Sequence, residues 1–118
     1  YFTGNRAYAR RGAEQLRRWF LNADTRMNPH LRFAQLVVGN PKERGSGIID
    51  TRWFIEAVDA ASILRGSGAW SEADDRALRD WMGRYLTWLR TSPNGGDEVR
   101  ARNNHGSWFA AQTAALAL

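Results

Sequence analysis

The densest run of chemically capable side chains is Arg102-Asn103-Asn104-His105-Gly106-Ser107-Trp108. It sets a guanidinium, two carboxamides and an imidazole at consecutive positions, directly before the apolar run Trp108 to Leu118. Such a cluster marks the point where a loop turns into a helix. Asn caps the free backbone N–H groups there, and the first helical turn carries a partial positive charge, so a carboxylate is a fitting ligand. Histidine, with an unperturbed pKa of ~6.5, can take or give a proton near neutrality. A carboxamide offers donors to an anion and has no proton to lose. From local chemistry alone two accounts stay open. Asn103 and Asn104 are plain caps with His105 bonded to backbone, or Asn104 and His105 form an anion-binding, acid–base pair.

Other polar residues stand out for the same reasons. Arg26, Asn28, His30, Arg32 and Gln35 crowd a stretch without helical periodicity and offer hydrogen bonds to a polar ligand, while His30 is equally readable as a turn residue held by its backbone. Arg52 falls in the first turn of a predicted helix, the end that cations avoid. It is therefore either a carboxylate binder or an ordinary surface arginine. Trp108 can stack on a flat ligand or belong to the core. No His-x-His, His-Glu-x-x-His or acidic-loop pattern accompanies His30 and His105, so neither a metal nor a cofactor is expected.

The elements that position these residues are predicted to be helices. Ala9, Ala13, Leu16 and Phe20 recur at helical spacing and predict an amphipathic helix from Thr3 to about Asn22. Tyr8 sits on this helix, where an aromatic is most often core. From Ala23 to Ile49 the periodicity stops among Pro29, Gly39, Pro41, Gly45 and Gly47. The stretch reads as a long loop anchored by Met27, Leu31, Phe33, Leu36, Val37 and Val38, with Lys42-Glu43-Arg44 as a solvated turn. Asp50 or Thr51 is placed to cap a second helix ending at Leu64 and Gly66. Ser71 and Asp74 have capping-box spacing before a third helix to about Thr91, with Leu78, Trp81, Met82, Tyr85, Leu86 and Leu89 inward. The short link between the two implies an antiparallel hairpin. Pro93 to Asp97 reads as a break, and Glu98 to Arg102 leads into a fourth helix. No strand pattern is visible, so the fold class is all-α.

The chain has 118 residues, room for one small domain. It carries 17 Lys plus Arg against 12 acidic residues, nearly all the bases being Arg, for a net charge of +5. The planar donor fork of Arg fits carboxylate and phosphate alike, so the balance suits a polyanion. The arginines are scattered rather than striped along one helix, which argues against a nucleic-acid partner. No apolar stretch is long enough to span a bilayer. With no cysteine, disulfide and thiolate chemistry are excluded.

Asn103-Asn104-His105, followed by Ser107 and the pair Trp108-Phe109, resembles the Asn-Asn-His signature of the alginate lyase superfamily of polysaccharide lyases. Met27-Asn28-Pro29-His30, Gly47-Ile48-Ile49-Asp50-Thr51-Arg52 and Arg65-Gly66-Ser67-Gly68 resemble segments of the same family in matching order, covering most of positions 25 to 118. The resemblance implies a partial (α/α) toroid of antiparallel helical hairpins around a cleft for an acidic sugar chain. Residues 1–118 would be a single such domain, cut short within a helix, because Trp108 to Leu118 holds no stop signal. It also implies cleavage of a uronic-acid polymer by β-elimination, and a periplasmic or extracellular location, where such polymers are met. Asn104, helped by Arg102 or Arg52, would neutralise the sugar carboxylate, and His105 would assist proton abstraction. Asn103, Asn28, His30 and Trp108 would bind substrate. The family's acid is a Tyr on a later helix, expected beyond Leu118, since Tyr1, Tyr8 and Tyr85 do not occupy a matching motif. The alternatives are a non-catalytic domain that binds acidic carbohydrate and, behind it, a basic helical nucleic-acid binder.

Overall fold

A computed structural model describes residues 3–117. Tyr1, set aside above as an acid, and Leu118, the last residue of the apolar run, lie outside the described residues. Among the described residues every regular element is helical, apart from one isolated bridge between Val37 and Asn40. The α-helices are α1 (Arg6–Leu16), α2 (Phe54–Leu64), α3 (Glu72–Thr91), α4 (Pro93–Arg100) and α5 (Asn104–Leu116). The all-α expectation holds, with five α-helices among the described residues where four were expected. The chain divides into two compact units, and α2 and α3 each contribute to both.

The first unit comprises residues up to Met27 together with Glu56–Met82. Helix α1 begins where Asn5 Oδ1 accepts the Ala7 N–H at 2.9 Å, a few residues later than the apolar stripe suggested. After Leu16 the ladder widens into a π-helical turn, Arg17–Leu21, closed by the Asn22 N–H donating to the Arg17 carbonyl at 2.8 Å. That turn buries Phe20, whose ring meets Trp81 edge-on at 4.8 Å, while the Trp81 indole donates to the Met27 carbonyl at 3.0 Å. Arg17 donates to Asp74 through Nε at 3.0 Å and Nη2 at 2.6 Å, and to the Ala69 carbonyl at 2.7 Å. Asp74 also completes the predicted capping box: it accepts from the Ser71 N–H at 2.9 Å, and its own N–H donates to Ser71 Oγ at 3.1 Å. The Arg17 hydrogen bonds are the main reason the Asp74 carboxyl lies well below the usual carboxylate range; partial burial opposes them and the Ser71 bonds add to them. Tyr8 is exposed rather than core.

The second unit comprises Asn28–Ile55 and the residues from Gly83 onward. Its irregular stretch ends earlier than expected. A 3-10 helix, Gly45–Trp53, occupies the end of the predicted loop and runs directly into α2, so neither Asp50 nor Thr51 caps that helix. The Thr51 side chain turns inward instead. Its Oγ1 lies 2.6 Å from the Tyr85 hydroxyl and donates to Gln112 Oε1 at 2.7 Å, while Gln112 Nε2 donates to the Ile48 carbonyl at 3.3 Å. Thr51, Tyr85 and Gln112 are all buried, as the reading of Tyr85 as core required. Polar groups so deep must pair with one another, and here the pairing ties the 3-10 helix to α3 and α5.

The predicted break at Pro93 to Asp97 is helix α4. Ser92 caps it, its hydroxyl accepting from the Gly95 N–H at 3.1 Å, and Pro93 fills the first turn, where a missing N–H costs nothing. The 3-10 helix packs against both α4 and α5. Its approach to α4 is at backbone distance, since a Cβ at Gly45 would lie 2.6 Å from the Asn94 carbonyl oxygen. The loop ahead of it is braced rather than loose. Arg32 pairs with Glu43 at 2.6 Å, so that acid is not simply solvated, and Gln35 donates to the Asp50 carboxylate at 3.0 and 3.2 Å.

Candidate active site

Of the residues singled out for chemistry, Arg26 belongs to the first unit and all the others to the second. The signature forms the corner between α4 and α5. Helix α4 ends at Ala101, whose N–H donates to the Glu98 carbonyl at 3.1 Å, and α5 begins two residues later with Asn103 as its cap. The Asn103 Oδ1 accepts from the His105 N–H at 3.0 Å. Asn103 is thus committed to capping in this structure, as one of the two sequence accounts had it. Gly106 follows His105 for a steric reason. A Cβ there would run into the Ala101 carbonyl oxygen, so only glycine lets the first turn of α5 close over the end of α4.

His105 is half-buried, and its ring is not bonded to backbone. Its Nδ1 lies 2.9 Å from Glu98 Oε2, and the Glu98 side chain is only 6% exposed. Nε2, on the other side of the ring, hydrogen-bonds to nothing among the described residues. Asn104, the first residue of α5, is exposed, and its carboxamide has no hydrogen-bond partner among the described residues. The corner therefore presents a free carboxamide, an imidazole and the unpaired N–H groups of a helix start. These are donors suited to a carboxylate beside a group able to move a proton.

The other candidates are placed as follows. Arg102 is exposed and makes no ion pair among the described residues. Arg52 lies near the end of the 3-10 helix with its guanidinium 4.6 Å from the centre of the Trp53 ring and one nitrogen 3.4 Å from the Ile49 carbonyl. The His30 N–H donates to the Asn28 carbonyl at 2.8 Å, and its ring stands 6.2 Å from both Phe33 and Trp88. Its Nδ1 is buried without a partner among the described residues. Asn28 is exposed, and Trp108 is 38% exposed on α5, its neighbour Phe109 taking the buried position.

Glu98 was not anticipated. Sequence reading treated Glu98-Val99-Arg100-Ala101-Arg102 as a connector, because Pro93-Asn94-Gly95-Gly96 looks like a turn. Once α4 is recognised there is a signal: Glu98 lies in its last turn, the end that disfavours a carboxylate. An acid so placed, buried and seven residues before a histidine, needs a partner.

Among the described residues no group of three or more His, Asp or Glu side chains converges to hold a metal ion, and no helix is long and apolar enough to cross a membrane. The family model for alginate lyases matches residues 1–118. The chain is similar to the crystal structure of an alginate lyase from Bacteroides ovatus, with 36% identity and a TM-score of 0.93 over 99% of its own length. That agreement is consistent with the expected partial toroid of helical hairpins. The chain spans 31% of the length of the Bacteroides ovatus protein. No curated protein matches it.

Proposed function

Because the chain belongs to the alginate lyase family, we propose that the protein containing it is a polysaccharide lyase cleaving a uronic-acid polymer, of alginate or glucuronan type, by β-elimination. The observation that carries this reading is the corner between α4 and α5, where Asn104, its carboxamide uncommitted, and His105 are the first two residues of a helix.

Elimination from a uronate begins with a difficult step. The hydrogen on the carbon next to the carboxylate is weakly acidic, because its loss spreads further negative charge onto a group already charged. Donors held against that carboxylate lower the barrier, and losing one such donor can cost about 3 kcal/mol. Asn104 supplies carboxamide donors and the free N–H groups of α5 add to them, with Arg102 the nearest cation in sequence. His105 assists removal of the proton. The electron pair left on carbon then forms the double bond and expels the glycosidic oxygen, which an acid must protonate. Tyr85 is unsuited to that task, since its hydroxyl is buried against Thr51 and burial pushes its pKa up. We assign the acid to a Tyr on a later helix of the whole protein, as the family resemblance implies. Asn28, His30, Arg52 and Trp108 are assigned to binding the sugar chain, and the periplasm or cell exterior is where that chain would be met.

The test is to incubate the full-length protein with alginate and with glucuronan and to follow the ultraviolet absorbance of newly formed unsaturated uronate ends. The expected result is a rise with at least one polymer, and a loss of about 100-fold or more in kcat/KM for Asn104→Ala and for His105→Ala. Retention of the polymer with no rise in absorbance would reduce the site to a binding surface.

A further inference from the structure

We propose that Glu98 is a positioning residue that sets the tautomer of His105, holding the proton on Nδ1 and leaving Nε2 as the bare, basic nitrogen. The inference rests on the lyase reading only for its catalytic consequence, because the tautomer itself follows from the geometry. Glu98 Oε2 lies 2.9 Å from Nδ1, and an ionised carboxylate only accepts hydrogen bonds. A neutral imidazole has a single N–H. Bonding it to Glu98 places that hydrogen on Nδ1, so the lone pair that could take a proton from substrate sits on Nε2. A neutral histidine in water favours the opposite arrangement, with the hydrogen on Nε2 and the lone pair on Nδ1. Without Glu98, then, the ring would carry its lone pair mainly on the side that faces into α4.

Independent features of the corner hold the two residues together. The Asn103 carboxamide fixes the His105 backbone through its N–H at 3.0 Å. The Ala101 N–H bonds the Glu98 carbonyl at 3.1 Å, which ends α4 one turn past the acid. Gly106 lets the two helix ends touch, and a Cβ there would also stand 3.5 Å from the Glu98 carbonyl oxygen. Burial adds the energetic argument. A carboxylate side chain only 6% exposed and at the unfavourable end of a helix is costly unless a hydrogen bond compensates it, and His105 Nδ1 supplies that bond. The arrangement matches the way carboxylates orient catalytic and metal-binding imidazoles generally.

The experiment uses the full-length protein labelled with ¹⁵N in its histidine rings, the His105 signals being assigned by their loss in His105→Gln. In the wild type, at a pH where His105 is neutral, the protonated-nitrogen signal is expected at Nδ1. In Glu98→Ala it should move to Nε2, and Glu98→Gln, whose amide can donate or accept, should give a mixture. Circular dichroism confirms that the near-isosteric Gln variant is folded. Lyase assays on the same samples should show kcat lowered on the order of 10- to 100-fold with KM nearly unchanged, by analogy with the loss of partners that orient a metal-bound imidazole. Unchanged ring nitrogen shifts in both folded variants would overturn the proposal. If the wild type cleaves no uronate polymer, the functional reading fails instead, and the tautomer shift still decides the role of Glu98.

Discussion

Replacing Thr51 by Val tests how the second unit is held together, because that hydroxyl is the midpoint of a buried hydrogen-bonded chain. Thr51 has one hydroxyl hydrogen and three oxygen neighbours, the Ile48 carbonyl at 2.8 Å, Gln112 Oε1 at 2.7 Å and the Tyr85 hydroxyl at 2.6 Å. The Ile48 carbonyl already receives Gln112 Nε2. Gln112 Oε1 has no other donor among the described residues, so the Thr51 hydrogen belongs there and Tyr85 must donate to Thr51. Thr51→Val keeps the shape, strands the buried Gln112 Oε1 and removes the Thr51 acceptor of the Tyr85 hydroxyl. At about 1–3 kcal/mol for the stranded carboxamide oxygen and about 1 kcal/mol for the lost Tyr85 bond the loss is about 2–4 kcal/mol, less about 0.8 kcal/mol for the methyl gained. Tyr85→Phe removes only the outer donor and leaves Thr51 bonded to Gln112, which should cost about 1 kcal/mol. The double variant loses the Thr51–Tyr85 bond only once, so it should be less destabilised than the sum by about 1 kcal/mol. Urea unfolding of the full-length protein, followed by tryptophan fluorescence, measures all three; Trp88, stacked 6.0 Å from Tyr85, is a local reporter. Additivity within about 0.5 kcal/mol would mean that the two hydroxyls do not depend on each other, and the assigned chain would be wrong.

Two further predictions concern the corner and the first unit. Gly106→Ala should separate α5 from the Ala101 carbonyl, lengthen the His105–Glu98 contact and lower lyase activity by about 10-fold or more, whereas Gly83→Ala, where nothing lies within 4 Å of the new methyl, should leave activity unchanged; the ratio of the two variants' kcat values is the readout. For Asp74, the folded carboxyl titrates below its unfolded value of ~3.9, so its contribution is fully present above that pH and is lost as pH falls toward the folded pKa. Stability of the wild type should therefore drop more steeply below about pH 4 than that of Asp74→Asn, and parallel acid-unfolding curves would remove Asp74 from the account.

Much of the helical layout was legible because apolar spacing and caps are local signals. The stripe from Leu78 to Leu89 and the Ser71–Asp74 box located α3 closely, and Tyr85 was read as core from its register. What failed depended on distant partners. Thr51 has the chemistry of a cap and sits where a cap would be useful, but Gln112 and Tyr85, remote in sequence, pull its hydroxyl inward and extend a 3-10 helix through the expected helix start. Likewise Pro93-Asn94-Gly95-Gly96 has turn composition, and it becomes helical because Ser92 caps it and its neighbours pack against it. At the candidate site, the position of His105 at a helix start was legible from Asn103, whereas Glu98 was hidden because its helix was. The cap and the acid partner are different kinds of information, one two residues away and the other dependent on how two helices meet.

That difference explains where glycine is placed in the second unit. The His105 imidazole meets the carboxylate of the preceding helix at a corner where backbone atoms approach closely. Gly106 removes the side chain on the α5 side, and Gly45 removes it where the 3-10 helix meets α4, with Asn94 O 2.6 Å and Asp97 Cβ 3.0 Å from where its Cβ would be. Helix α4 is thus seated from two directions by contacts that leave little room for it to rotate. Rotation about its axis would carry Glu98 away from Nδ1 and leave a buried carboxylate without its bond, an outcome that costs more than a lost surface contact. The short helix that composition disguised as a turn therefore sets the register of the site: its packing on glycine fixes Glu98, and through Glu98 the face of the His105 ring left for chemistry.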